Sequence, residues 1–466
     1  MINQRLCERS EAIQPRTGSP RRLCLLAMTV LLSTAATAQD APPPLEVDVV
    51  GGTNAVTAIA VPLMPTSSIA DTEAGSTAAL ARQISSLIAS DLRSTGLFTP
   101  LGPDGIPGYD YAQASAPAYA TWRSVGAAQL VTGFVDVNPN GKLTVGCYLH
   151  DVAAGRELIH QGFSVAPADW RRAAHKCADT IYSRLSGETG FLDTRVVYVS
   201  ESGPKSRRIK RIAIMDSDGS NHRYLTSGSA TVTTPRFSPR GDKLVYMTTA
   251  GRRPRVMIMD VASGTERSLV PGLVPGLVLT FAPRFSPNGR QVLFSMAAGG
   301  NTDLYVVDAD GGIPRRLTDT PGADTSPSYS PDGSRIVFES DRSGTQQLYV
   351  MNADGSGQKR ISFGGGRFAS PTWSPRGDLI AFTKIAGQFR IGVMTPSGGA
   401  ERLLTDAWQD EGPSWAPNGQ FVMFNRIRQG STGQTSLYAV NINGGNPRRL
   451  PTPQDGSDPS WSPLQR

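Results

Sequence analysis

The chain has 466 residues, 39% of them hydrophobic and 18% charged, with a formal net charge of +7. That length calls for more than one domain, and the composition is that of a folded chain rather than a disordered one. Five arginines and two glutamates fall in the first 38 residues. The remainder is therefore only mildly basic, which excludes a nucleic-acid footprint as the organising feature.

Arg21-Arg22 precede an apolar run from Leu23 to Leu32, followed by Ala36-Thr37-Ala38. A basic flank, a short apolar core and an A-x-A site predict a secretory signal over 1–38, cleaved before Gln39. About ten apolar residues are too few for a bilayer, which needs about 20. No later stretch is long and apolar enough either, so an exported protein is expected. The twenty residues ahead of Arg21 are long for such a flank. A misplaced start codon and a twin-arginine route both fit, the second only loosely.

Residues 39–54 read as an extended lead-in, with LEVDVV at 45–50 alternating apolar and acidic. An α/β domain is expected over 55–192. Ala55 to Val61 reads as a strand. Leu80, Ile84, Leu87, Ile88 and Leu92 recur on one face of a helix over 77–94, which Gly96 ends. A helical stretch around Trp122 follows, then strands near 128–137, 142–150 and 157–165. A last helix spans about 169–186, with Asp169 predicted as its N-cap and Gly187 beyond its end. Once the signal is gone, two of the four cysteines remain, Cys147 on a strand and Cys177 on that helix. Both point to one core in an oxidising compartment, and a disulfide and two buried thiols fit equally.

The rest, 193–466, is dominated by one phrase. PSYSPDGSRIVF from Pro327 returns from Pro235, Pro283, Pro371 and Pro413, and in truncated form as PSWSPLQR from Pro459. The leading prolines are 48, 44, 44, 42 and 46 residues apart, a period of four-stranded propeller blades. In each copy an aromatic on the inner strand (Phe237, Phe285, Tyr329, Trp373, Trp415, Trp461) precedes a Ser-Pro turn, Ala-Pro in the copy from Pro413, closed by Gly in all but the truncated copy. A buried second strand follows, then a third ending in a hairpin such as Asp308-Ala309-Asp310-Gly311. The last copy has no second strand, and residues 195–200 (RVVYVS) look like a second strand without a first. Joined, they complete six blades and remove both sheet edges. The fold class is therefore a two-domain chain, a small N-terminal α/β domain followed by a C-terminal six-bladed β-propeller.

Strand parity sorts the loops. The inter-blade loops and the loops joining strands two and three share one face; the Ser-Pro and Asp-Gly turns share the other. The first face also receives Lys205, Arg207, Arg208, Arg252, Arg253 and Arg342, which read most simply as solvated tips. The second blade, which starts with the copy from Pro235, carries an insert, 271–279 (PGLVPGLVL), that either folds onto a neighbouring blade or offers an apolar anchor to a partner.

The whole arrangement after residue 38 resembles the TolB family of the Tol–Pal envelope system. The resembling phrases are DLRSTGLF at 91–98, VTGFV at 131–135, WRRAAH at 170–175, LSGETGFLDTR at 185–195 and PSWSP at 459–463. The blade phrase by itself is common to many propellers; the order of signal, small α/β domain and six blades is more specific. The resemblance implies a non-enzymatic periplasmic binding protein that joins the outer-membrane lipoprotein Pal to inner-membrane TolA, sustaining outer-membrane integrity and constriction at division. It implies a Pal-binding face one and two residues before the blade prolines: Thr234, Phe281, Ala282, Thr325, Ser326, Ser370, Glu411 and Asp458, with Ala282 and Thr325 the best matches. It places the TolA-binding segment at Glu46, Val47, Asp48, Val49 and Val50, an extended stretch suited to pairing with a sheet edge. A monomer without cofactor is expected.

Enzymatic readings fare worse. No G-x-S-x-G occurs, and His150, His160, His175 and His222 have no metal-ligand spacing. Asp216-Ser217-Asp218-Gly219 hints at calcium but lacks the rest of an EF-hand loop, so a hairpin turn is expected. A glycan- or peptidoglycan-binding propeller, or an accessory propeller of a hydrolase, is the alternative. An aromatic-lined channel mouth would favour it, whereas these aromatics read as core positions of the inner strands.

Overall fold

A computed structural model describes residues 56–250, 253–271, 278–430, 434–445 and 447–465. Residues 46–50, Arg252 and the centre of the apolar insert lie outside the described residues.

The first domain is a five-stranded sheet in the order Phe98–Leu101, Thr57–Ala60, Gln129–Val137, Leu143–Asp151, Arg156–Val165. The pairs made by Thr57–Ala60 are parallel and the others antiparallel. Period-2 alternation assigns the two faces. Val131, Val135, Val145, Cys147 and Leu149 join one core with helices α1 (Thr77–Ser94) and α3 (Trp170–Ser186). Leu130 and Ala60 join a smaller cluster with Trp122 of the short helix Tyr119–Ser124. Ser76 caps α1 by accepting the Ala79 N–H, and Gly187 closes α3 in the left-handed conformation at φ +73°. Asp169 does not cap α3, contrary to the expectation. It ends a 3₁₀ turn, Pro167–Asp169, that runs straight into the helix. Its backbone is already turned (φ −93°, ψ 16°) rather than extended, and its side chain makes no cap bond.

Cys147 and Cys177 form a disulfide across 30 residues, with a Cα–Cα distance of 5.9 Å. Both cysteines are fully buried, so the bond pins α3 to the sheet. Replacing both by serine is expected to cost about 2–4 kcal/mol. Urea unfolding of the variant beside the oxidised and reduced wild type measures it. An unchanged midpoint in both comparisons would refute a stabilising role.

Six four-stranded blades follow. Five run consecutively: their inner strands are Val232–Phe237, Val278–Phe285, Asp324–Tyr329, Arg367–Trp373 and Gln409–Trp415. The sixth takes its inner strand, Asp455–Trp461, from the C-terminus and the rest from Arg195–Ser202, Ile209–Asp216 and Arg223–Tyr224. The predicted closure is thus present. The turn glycines Gly241, Gly289, Gly333, Gly377 and Gly419 have φ between +71° and +80°, which glycine alone adopts without cost. The two domains share one core: Phe191 of the linker packs tilted against Phe421 at 4.8 Å and edge-on at 5.7 Å against Trp461.

Candidate protein-docking face

All six inner strands carry a β-bulge in the same place. The register slips between Thr233 and Arg236, Phe281 and Arg284, Thr325 and Ser328, Ala369 and Thr372, Glu411 and Ser414, and Ser457 and Ser460. Each slip brackets a blade proline, which has no N–H to give the ladder. The residue before it swings into the left-handed region: Thr234, Ala282, Ser326, Ser370 and Asp458 at φ +50° or +51°, and Gly412 at +69°. Five of these six are not glycine, so the strain repeats around the ring. The same six residues converge on one mouth of the axial channel, around a cavity of about 60 Å³.

All eight residues assigned to this face are partly exposed. Thr234, Ala282, Ser326, Ser370 and Asp458 line the mouth, and Phe281, Thr325 and Glu411 lie one residue earlier on their strands. Several are fixed by carboxylates. Glu339 accepts from Thr325 Oγ1 (2.6 Å), Ser326 Oγ (2.8 Å) and the Ser370 N–H (2.8 Å), joining two blades. Asp458 accepts from the Thr234 N–H at 3.3 Å. Burial, and then the neighbouring Asp458 charge, push the Glu411 carboxyl above its ordinary range.

The basic tips are not all free. Arg342 Nη2 donates to both carboxylate oxygens of fully buried Asp324 at 2.8 Å, and Arg208 pairs with Asp455 at 2.7 Å. Arg426, unremarked in the sequence, makes a bidentate pair with Asp410 through Nε and Nη2. These guanidiniums hold strand-two-to-three loops against the start of the inner strands. Two exposed aromatics also escaped the reading: Phe363 (59% exposed) and Trp408 (47%) sit in inter-blade loops. They fall between copies of the repeat, where no periodic signal marks them.

The opposite face is partly taken. Glu188 pairs with Arg376 at 3.0 Å, and the Asn418 amide donates to the Thr189 carbonyl at 3.0 Å. Below them lies a charge network. His175 Nδ1 is 2.7 Å from Asp91 Oδ2, His175 Nε2 is 3.8 Å from Asp218 Oδ2, and Arg171 also pairs with Asp218. The fold thus brings His175 within 4.8 Å of Asp216 and Asp218, a grouping that linear spacing hid. Arg171 and Asn221 already hold these carboxylates, which makes the group an ion-pair network and not an open ligand set.

Residues 45–158 match the family model for the TolB amino-terminal domain, and residues 182–465 that for the TolB beta propeller domain. The chain belongs to the TolB family. Tol-Pal system protein TolB of Zymomonas mobilis is 57% identical over 420 residues, covering 90% of this chain and 91% of its own. The protein of the same name from Sphingopyxis alaskensis is 57% identical over 454 residues, 96% of this chain and 99% of its own. The crystal structure of TolB from Acinetobacter baumannii superposes with a TM-score of 0.75 at 27% identity, covering 88% of this chain and 97% of that one. As a TolB-family protein, the chain is a non-enzymatic periplasmic component of the Tol–Pal system. Among the described residues, no helix is long and apolar enough to cross a membrane.

Proposed function

We propose that this TolB-family protein binds the outer-membrane lipoprotein Pal on the mouth formed by the inter-blade loops, and binds TolA through residues 46–50. The observation that carries the first half is the sixfold ring of left-handed residues at a mouth on the face away from the first domain. Rigid, strained backbone held by buried carboxylates is a pre-organised surface, and pre-organisation lowers the ordering cost of association. The second half rests on the alternating stretch Glu46–Val50, included in the amino-terminal family match. An extended strand of this kind adds to a partner's sheet edge. In this reading residues 1–38 direct export and are removed before Gln39, 39–54 stay extended, and the mature protein acts as a monomer between the two membranes. Pal occupancy then sets whether the N-terminal segment is free for TolA, which requires two states of different Pal affinity.

Surface-captured Pal periplasmic domain tests the face. Ala282→Arg and Thr325→Arg are each expected to weaken binding by at least about tenfold, because a bulky charge enters a shaped contact. Wild-type affinity in both folded variants would overturn this placement of the site. Deletion of residues 46–50 is expected to abolish retention of TolA and leave Pal binding intact.

A further inference from the structure

The other half of the axial channel is larger. A cavity of about 510 Å³ lies among the five Ser-Pro turns and their Ala416-Pro417 counterpart, within the range of small-ligand sites. Among the described residues, the first domain and linker make polar contacts to this face at the blade turns of Arg376, Asn418 and Asp218, on three of the six blades. Exposed Leu464 of the C-terminal tail also lines the cavity, so it communicates with that face. Its floor is one ring of equivalent positions: Arg236, Arg284, Ser328, Thr372, Ser414 and Ser460. Among the described residues lining it, the two arginines are the only charged ones, and both also reach the small pocket of the other mouth.

Arg236 is 92% buried by its 8% exposure. Its Nη1 donates to the carbonyls of Pro235, Asp458 and Pro459, but its Nε has no partner. Burial depresses its pKa to about 10 against the pull of Asp458, whose carboxylate is turned instead to the Thr234 N–H. A buried guanidinium short of an anion is costly, and an oxyanion would relieve it. Arg284 lines the same floor from the next blade. Ser328 Oγ and Ser414 Oγ each accept an N–H, from Trp373 (3.2 Å) and Trp461 (3.1 Å), which leaves their hydroxyl protons to donate. Above the floor stand the six aromatics of the repeat. They are largely buried, as the sequence indicated, yet their remaining surface faces this cavity.

We propose that the cavity binds a sugar acid, its carboxylate set against Arg236 and Arg284, its hydroxyls met by the serines, and its ring covered by the aromatic wall. Entry is from the Ser-Pro face. The 60 Å³ pocket at the other mouth is too small, and it carries Asp458.

Titration of the full chain with glucuronate and with glucose tests it, since the two share a ring and differ in the carboxylate. Saturable glucuronate binding is expected, with glucose at least about tenfold weaker, and the indole N–H resonances of Trp373, Trp415 and Trp461 should move with glucuronate. Arg284→Gln should abolish those shifts at an unchanged melting temperature. Arg236 also clasps two inner strands, so Arg284 is the variant of choice. If Arg284→Gln fails to fold, the wild-type indole shifts decide alone. Equal binding of glucose, unmoved indole signals, or full glucuronate binding by folded Arg284→Gln overturns the proposal.

Discussion

Trp461→Ala is expected to destabilise the protein by about 3–5 kcal/mol, the range for truncating a buried aromatic. Three independent links end on this side chain. Its backbone pairs with Val196 to close the ring, its indole N–H donates to Thr194 Oγ1 at 2.8 Å, and its ring meets Phe191. Thr194 and Phe191 belong to the linker between domains, so the loss falls on ring closure and domain docking together. Urea unfolding followed by both fluorescence and circular dichroism measures it. Two separated transitions in the variant would show that domain docking fails before the ring does. A midpoint within error of wild type would refute the role assigned to the closing strand.

The second large effect concerns His175. Burial opposes its charged form, but the Asp91 carboxylate and its hydrogen bond, with Asp218 and Asp216 beyond, outweigh burial and lift its pKa to about 9. Arg171 also faces this group, and Arg448 from the last complete blade acts on Asp91. A raised histidine pKa gives stability that is complete below the unfolded value of about 6.5 and is lost as pH climbs through about 9. The shift corresponds to about 3 kcal/mol. Unfolding free energy measured from pH 6 to pH 10 should therefore decline across that window. His175→Gln leaves Asp91 buried without its counter-charge, at a cost of about 3–5 kcal/mol near neutral pH. Asp91→Asn should flatten the pH profile between 6.5 and 9. An equally steep decline in Asp91→Asn would assign the proton to another group.

The propeller was legible because its repeat carries stereochemistry in its letters. Pro, an aromatic, Ser-Pro and Gly at fixed spacing specify a strand and a turn, and the orphaned strand at 195–200 asked for a partner that Trp461 supplies. The helices were legible from the stripe of Leu80, Ile84, Ile88 and Leu92. What escaped had no periodic signature. Left-handed Thr234, Ala282, Ser326, Ser370 and Asp458 share no side-chain chemistry, and only the proline after each hints at the bulge. Asp91 and His175 sit 84 residues apart, and only the packing of α1 on α3 makes them neighbours. Two of the arginines read as solvated tips, Arg208 and Arg342, are instead paired, for the same reason. Arg342 meets Asp324 across a strand pair, a relation invisible until register is known.

The closing strand has a temporal consequence. Arg195 and Ser462 are bonded across 267 residues, so the blade shared by the two ends stays a three-stranded fragment with a bare edge until the distal segment arrives. During synthesis the ring cannot shut while the region near Trp461 is still inside the ribosome. The chain therefore stays open and threadable until residues 455–461 are available, and commits to its final form only then.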